Sequence, residues 1–249
     1  MKNIFNKAFL LAVVFGFISC GVSNKASQTQ NGAMNDGINM LSKAQKKEGW
    51  QLLFDGKTTK GWHTFNQDEV STKWSVSEGI LTYNPKASGK GGDLVTDGEY
   101  QNFHLKLDWK VSDCGNSGVI FNIQENGQEK TYHTGPEMQI LDNTCHADAK
   151  YPTHRAGSLY DLIQAQPETV KPAGEWNTAE IILDQGHLVF KLNGTQVVET
   201  QMFNQKWDEM LANSKFKQWP GFGTFQKGRI GLQDHGDVVE FRNIMIMEL

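Results

Sequence analysis

From Phe103 to Val111 the chain alternates without a break: Phe103, Leu105, Leu107, Trp109 and Val111 against His104, Lys106, Asp108 and Lys110. A period of two makes this a strand with one face on a core and the other in water. The same alternation in Ala179, Ile181 and Leu183, and in Leu188, Phe190 and Leu192, predicts two more strands. The last stretch, VVEFRNIMIMEL (238–249), is apolar enough for a central strand. Turn signals separate such runs: Asp55-Gly56, Glu78-Gly79, Asp97-Gly98, Gln185-Gly186 and Asn193-Gly194. HLVFKLNGTQVVE (187–199) reads as a hairpin, because Asn-Gly accepts the positive φ angles of a tight I′ turn. Helix signals are scarce. Asn204 to Lys215 is the one predicted helix, with Trp207, Met210 and Leu211 on one side. Many short strands, frequent turns and 25 glycines predict an all-β fold over residues 49–249, a jelly-roll sandwich of two antiparallel sheets with one short helix.

The first 48 residues carry a different pattern. Lys2 and Lys7 precede an unbroken apolar run, Ala8 to Ile18, which is shorter than the ~20 residues a membrane-spanning helix needs. Residues 1–19 are therefore expected to be a signal peptide. The run ends in Phe17-Ile18-Ser19-Cys20-Gly21, a lipobox-like sequence in which Cys20 would be lipidated; plain secretion with Cys20 as a thiol is the alternative. Residues 20–48 are polar and predict a lipid-anchored flexible tether. The expected location is the cell envelope, with the domain tethered to the outer membrane and facing the periplasm or the outside. Membrane contact would be through the anchor alone.

Without residues 1–19 the chain keeps 22 basic and 28 acidic side chains, a net charge of −6, which argues against nucleic acid as a partner. Cys114 and Cys145 remain beyond Cys20. In an oxidising compartment they are candidates for a disulfide, with two free thiols as the alternative.

Several blocks in order carry a resemblance: LLFDGKTTKGW (52–62), GGDLVTDGEYQNFHLKLDWKVSDCGNSGVIF (91–121), GPEMQILDN (135–143), HRAGSLYDLI (154–163), GEWNTAEII (174–182), LNGTQVVE (192–199) and GRIGLQDHGDVVEFRNIMI (228–246). Together they resemble the 3-keto-disaccharide hydrolase domain, common in lipoproteins of bacteroidetes. The resemblance implies a concanavalin-A-like jelly roll with a glycan site on its concave sheet, acting on glycosides already oxidised at C3. No G-x-G-x-x-G fingerprint is present, so a partner oxidoreductase would have to form the ketone.

In GPEMQILD, Met138 and Ile140 point one way, and Glu137 and Gln139 the other, about 7 Å apart along the strand. If the apolar pair faces the core, Glu137 is a candidate for proton transfer. An ordinary glucanase needs two carboxyls about 5–9.5 Å apart. Glu137 and Asp142 fail that requirement, being ~17 Å apart on opposite faces, so a second acid would come from Asp161, Glu180 or Asp234. A 3-keto sugar needs one base instead, because its carbonyl acidifies the C2 hydrogen. The enolate then expels the group at C1, and water adds. Histidine titrates near neutrality and suits such roles, which makes His154 and His235 the other catalytic candidates. Asn116, Gln139, Arg155, Tyr160, Gln233 and Trp219 are candidates for binding the carbohydrate. A divalent metal is the one cofactor suggested: Asp142, His146 and Asp148 are spaced like ligands, although loops rich in Asp and His are common without one. Trp62, Trp207 and Trp219 are the tryptophans least tied to a core face. The alternatives to a 3-keto glycosidase are a non-catalytic carbohydrate-binding lipoprotein and an ordinary glucan glycosidase, since one sandwich hosts all three.

Overall fold

The computed structural model describes residues 37–125 and 127–249. The signal sequence and Cys20 lie outside the described residues, as does the expected tether as far as residue 36. In chain order the first strands are β1 (Gln51–Leu52), β2 (Trp62–Thr64), β3 (Trp74–Ser77), β4 (Ile80–Tyr83), β5 (Leu94–Thr96), β6 (Phe103–Val111) and β7 (Asn116–Ile123). They are followed by β8 (Glu137–Leu141), β9 (Asn177–Asp184), β10 (His187–Leu192), β11 (Thr195–Gln201), β12 (Arg229–Leu232) and β13 (Val239–Glu248). Among the described residues two helices, α1 (Lys43–Glu48) and α2 (Gln205–Ala212), complete the regular structure with a few 3-10 turns.

The strand predicted first, β6, alternates buried and half-buried residues along its whole length. It pairs antiparallel with β9 and β13 inside an eight-stranded sheet of order β11-β10-β9-β6-β13-β4-β3, with β1 added on β13. The facing sheet has five strands, β2-β5-β12-β7-β8. Phe103, Leu105, Leu107 and Trp109 of the larger sheet meet Val119, Phe121, Met138, Ile140 and Leu232 of the smaller in one core. Aromatic edges fix part of that contact, with Phe121 edge-on to both Phe103 and Phe190. The expected sandwich of two antiparallel sheets is present. At Asn193-Gly194 both φ angles are positive (52° and 80°) between the paired Leu192 and Thr195, as an I′ hairpin requires.

The sequence predicted one helix, and α2 is found there, capped by the Asn204 side chain on the Trp207 amide. The other helix, α1, lies in the segment expected to be tether. Ser42 and Gln45 form a reciprocal capping box at its start. Just before it, the buried Asn39 exchanges two 2.7 Å hydrogen bonds with Asn243 and donates a third to the carbonyl of Gly79. The folded part of the chain thus begins ahead of residue 49. Of the tryptophans left open for stacking, Trp62 and Trp207 are buried and donate to the carbonyls of Leu53 and Gly223. Trp219 stays partly open.

Candidate functional site

β8 is the edge strand of the smaller sheet, and it carries Glu137 and Gln139 on the face away from the core. Its far edge is not left bare. The 157–160 segment lies along it: Gln139 N–H donates to the Ser158 carbonyl, Gly157 N–H to the Gln139 carbonyl, and Tyr160 N–H to the Glu137 carbonyl, at 2.8–3.0 Å. A side chain on a strand held at both edges is fixed in place, as a reacting group must be.

Glu137 and Gln139 form the floor of a cavity of about 280 Å³. Asn116 from β7 and Gln233 from the end of β12 stand beside them. The wall comes from less regular pieces. A 3-10 turn at Thr131–His133 supplies Tyr132, and another at Lys215–Gln218 supplies Lys215 and Phe216, with Trp219 next to it. Tyr160, Phe222 and His235 close the circle. Phe216 and Phe222 stack face to face at 3.8 Å, and Trp219 lies on the His133 ring at 5.0 Å.

Glu137 is the only carboxyl among the lining residues, and it is 7 % exposed. The Gln139 amide has two orientations. In one it donates only to Asn116 Oδ1 at 3.3 Å. Turned round, its nitrogen donates to Glu137 Oε1 at 2.8 Å and to the Ser117 carbonyl at 3.1 Å, and its oxygen faces the Asn116 side-chain amide at 3.3 Å. Gln233 Nε2 approaches Glu137 Oε2 at 3.4 Å. Two amides therefore flank the carboxyl, but they do not offset its loss of water. Burial, reinforced by the charge of Asp93, pushes the Glu137 carboxyl up to about 8, against the pull of Lys215 and the Gln233 hydrogen bond. Beneath it Gly118 leaves the needed room, since a Cβ there would overlap the Glu137 carboxylate.

Lys215 is the only lysine or arginine lining the cavity. Its Nζ sits 4.1 Å over the Tyr160 ring and 3.8 Å from Asp161 Oδ2. Burial, with the Glu137 charge, raises the Tyr160 hydroxyl well above its usual range, so it stands as a neutral donor.

The structure brings together Glu137, His235, Asn116, Gln139, Tyr160, Gln233 and Trp219. It keeps others apart. His154 does not line the cavity; it lies behind Tyr160, ring centroids 4.5 Å apart, with Nε2 on Asp161 Oδ1 at 2.8 Å. Arg155 is spent on the Ala149 carbonyl and on Glu168 at 2.6 Å, which makes it a loop fastener rather than a sugar contact. The three spaced metal candidates are used locally. Asp142 accepts from Thr144 and from the Cys114 amide, and His146 Nδ1 accepts from the Asp148 amide at the start of a 3-10 turn. Cys114 and Cys145 form a disulfide, Cα atoms 4.7 Å apart. Of the proposed second acids, Glu180 is on the other sheet, bound to His104 and Lys106. Asp161 is paired with His154, and Asp234 accepts from the Gly92 and Gly236 amides. Lys215, Tyr132 and the half-buried Asp93, whose charge acts on Glu137, were not singled out in the sequence. They reach the site through short turns and loops that have no period to read.

Residues 49–247 match the family described as 3-keto-alpha-glucoside-1,2-lyase-like domain. A Bacteroides thetaiotaomicron protein named 3-keto-disaccharide hydrolase is 35% identical over an alignment of 289 residues that covers 100% of both chains. A crystal structure from Parabacteroides distasonis, provisionally named a glycosyl hydrolase, is similar with a TM-score of 0.79 at 31% identity, over 85% of this chain and 99% of that one. The carbohydrate-binding module CBM66 of Bacillus subtilis matches with a TM-score of 0.50 over 76% of this chain and 96% of its own. At 12% identity that likeness concerns the jelly-roll fold alone.

Proposed function

Because the chain belongs to the family of 3-keto-alpha-glucoside-1,2-lyase-like domains and is a glycosidic-bond-cleaving enzyme, we propose that it acts on 3-keto glycosides and that Glu137 is its base. The observation that carries this reading is the lone carboxyl on the cavity floor, raised to about 8, with a single lysine in the wall. A two-carboxylate hydrolysis has no partner acid in this cavity. One base and one cation suit an elimination.

In that reaction the Glu137 carboxylate takes the C2 proton, and the electron pair moves onto the C3 carbonyl oxygen as an enolate. The Lys215 ammonium and the amides of Asn116 and Gln233 are suited to hold that oxygen. Collapse of the enolate breaks the C1–O bond, and the leaving oxygen takes a proton from His235. Water then adds at C1 of the enone and a proton returns to C2, giving the free 3-keto sugar. Trp219 and Tyr132 offer ring faces for the sugar. Incubating the soluble domain with a 3-keto glucoside in deuterated water tests the sequence of steps. Cleavage of the keto substrate alone, with deuterium at C2 of the product, is the expected result. Cleavage of the unoxidised sugar at the same rate would overturn it.

We further propose that the domain works in the cell envelope, anchored through Cys20, and that a partner oxidoreductase supplies the ketone. The lipobox-like FISCG sequence and the Cys114–Cys145 disulfide, a bond kept in oxidising compartments, support the first point. Membrane fractionation of wild type against Cys20→Ala is the check, with loss of the membrane-bound fraction expected.

A further inference from the structure

Beside the Glu137 cavity lies a second one of about 430 Å³, and Tyr132, Gln233 and His235 stand in the wall common to both. The second cavity is framed by Asp93 and Asp234, whose carboxylates are already engaged. Asp93 accepts from the Thr131 hydroxyl and the Asp234 amide, and Asp234 from the backbone of Gly92 and Gly236. They build the wall. Toward solvent the cavity presents Gln67 and Lys130, both exposed and with hydrogen-bonding groups to offer.

The shared wall has a feature of its own. Gln233 is 8 % exposed; its backbone is fixed by the Gly118 carbonyl and the Ser117 hydroxyl, and its Nε2 is turned to Glu137. Its Oε1 has no donor among the described residues. A buried amide oxygen in that state is costly and suits a place where a ligand brings the missing donor.

The chemistry decides what lies on each side. A base at C2 holds the oxidised ring in the Glu137 cavity. The bond that breaks starts at the adjacent C1, so the departing oxygen must leave toward the neighbouring space. His235 stands at that junction and in both walls. We infer that the second cavity receives the leaving group and that it is shaped for a sugar ring, so that a disaccharide lies across the shared wall with its bridging oxygen at His235. This rests on Glu137 being the base of the proposed reaction. A rim of amide and ammonium groups suits the hydroxyls of a sugar better than an apolar aglycone.

The test compares kcat/KM for a 3-keto disaccharide and for methyl 3-keto glucoside, in wild type and in the double variant Gln67→Ala/Lys130→Ala. Methyl glucoside cannot fill the second cavity, so it serves as an internal measure of the folded site. Wild type is expected to favour the disaccharide, and the double variant to lose about tenfold of that preference, mostly through KM. Gln67→Trp, which obstructs the cavity, is expected to lose at least as much. A preference unchanged in both variants while methyl glucoside is still cleaved would overturn the second cavity alone. If wild type cleaves neither substrate, the reading of Glu137 falls and takes this one with it.

Discussion

Glu137 sets two opposite demands on one residue, and both are measurable. Its carboxyl ordinarily titrates near 4.5, whereas in the folded chain burial holds it at about 8. Between those values the unfolded chain has released a proton that the folded chain keeps, so this group lowers stability as pH rises from about 4.5 to 8. Glu137→Gln removes the ionisable group while keeping its shape. The variant is expected to melt higher than wild type, by a margin that grows between pH 5 and pH 8.5 in thermal unfolding. It should also lose C2 deuterium exchange by ~10³-fold or more. In wild type, exchange should rise with pH until the carboxyl is ionised, near pH 8. Gly118→Ala tests the same carboxyl from below: the added methyl displaces Glu137 and should cost about 1–3 kcal/mol along with most of the activity. Much of this site was legible in the sequence. Met138 and Ile140 fix which way Glu137 and Gln139 face, and Asn116, Gln233, His235 and Trp219 fall in or beside readable strand ends and loops. Lys215 was not legible, since a lysine in a polar stretch has no signature until Tyr160 is seen under it. His154 and Arg155 were overvalued because neighbours in sequence to Tyr160 need not share its cavity.

At the scale of elements, alternation identified β6, β9 and β10, and helical spacing identified α2, because each buries one face and leaves the other wet. Ordered structure extends ahead of residue 49, where the family match begins, for a physical reason. Residues 37–48 contribute few apolar groups, so composition reads them as tether, yet Asn39 docks through hydrogen bonds rather than hydrophobic area. Its side chain accepts from the backbone N–H of Asn243 and donates to the Gly79 carbonyl, and its own backbone N–H donates to the Asn243 side-chain oxygen. Asn243 itself has a φ of 53° at the irregularity between Arg242 and Met245, where β13 shifts its register against β6. The segment therefore fastens a break in a central strand. A chain starting at residue 49 is expected to be about 2–3 kcal/mol less stable than one starting at residue 37, from three hydrogen bonds at ~1 kcal/mol each. Urea unfolding of the two truncations distinguishes docking from tethering: equal midpoints would mean that residues 37–48 add nothing.

For the whole molecule the question is what holds an edge strand that carries the proposed base. β8 has only β7 as a sheet neighbour, and Asn116 of β7 lies opposite Leu141 at one end of the pair. The disulfide closes that end, joining Cys114 just before β7 to Cys145 in the loop after β8, and the Cys114 amide donates to Asp142 beside it. Sequence spacing left the pairing of these cysteines open; the fold decides it by bringing two turns together. A closed loop of 31 residues is worth about 3.7 kcal/mol through the entropy it removes from the unfolded chain. Cys114→Ser/Cys145→Ser should therefore lower the unfolding free energy by about that much. Because the loss falls on the strand pair under the cavity, hydrogen exchange should rise first in β8 and the 157–160 segment, ahead of β6 or β9. The same shift is expected on reducing the wild-type domain with dithiothreitol. If the serine variant melts with wild type, or if protection is lost evenly over both sheets, the bond is a passenger and the site depends on the 157–160 backbone alone. If β8 opens first, the enzyme's working geometry depends on an oxidising compartment.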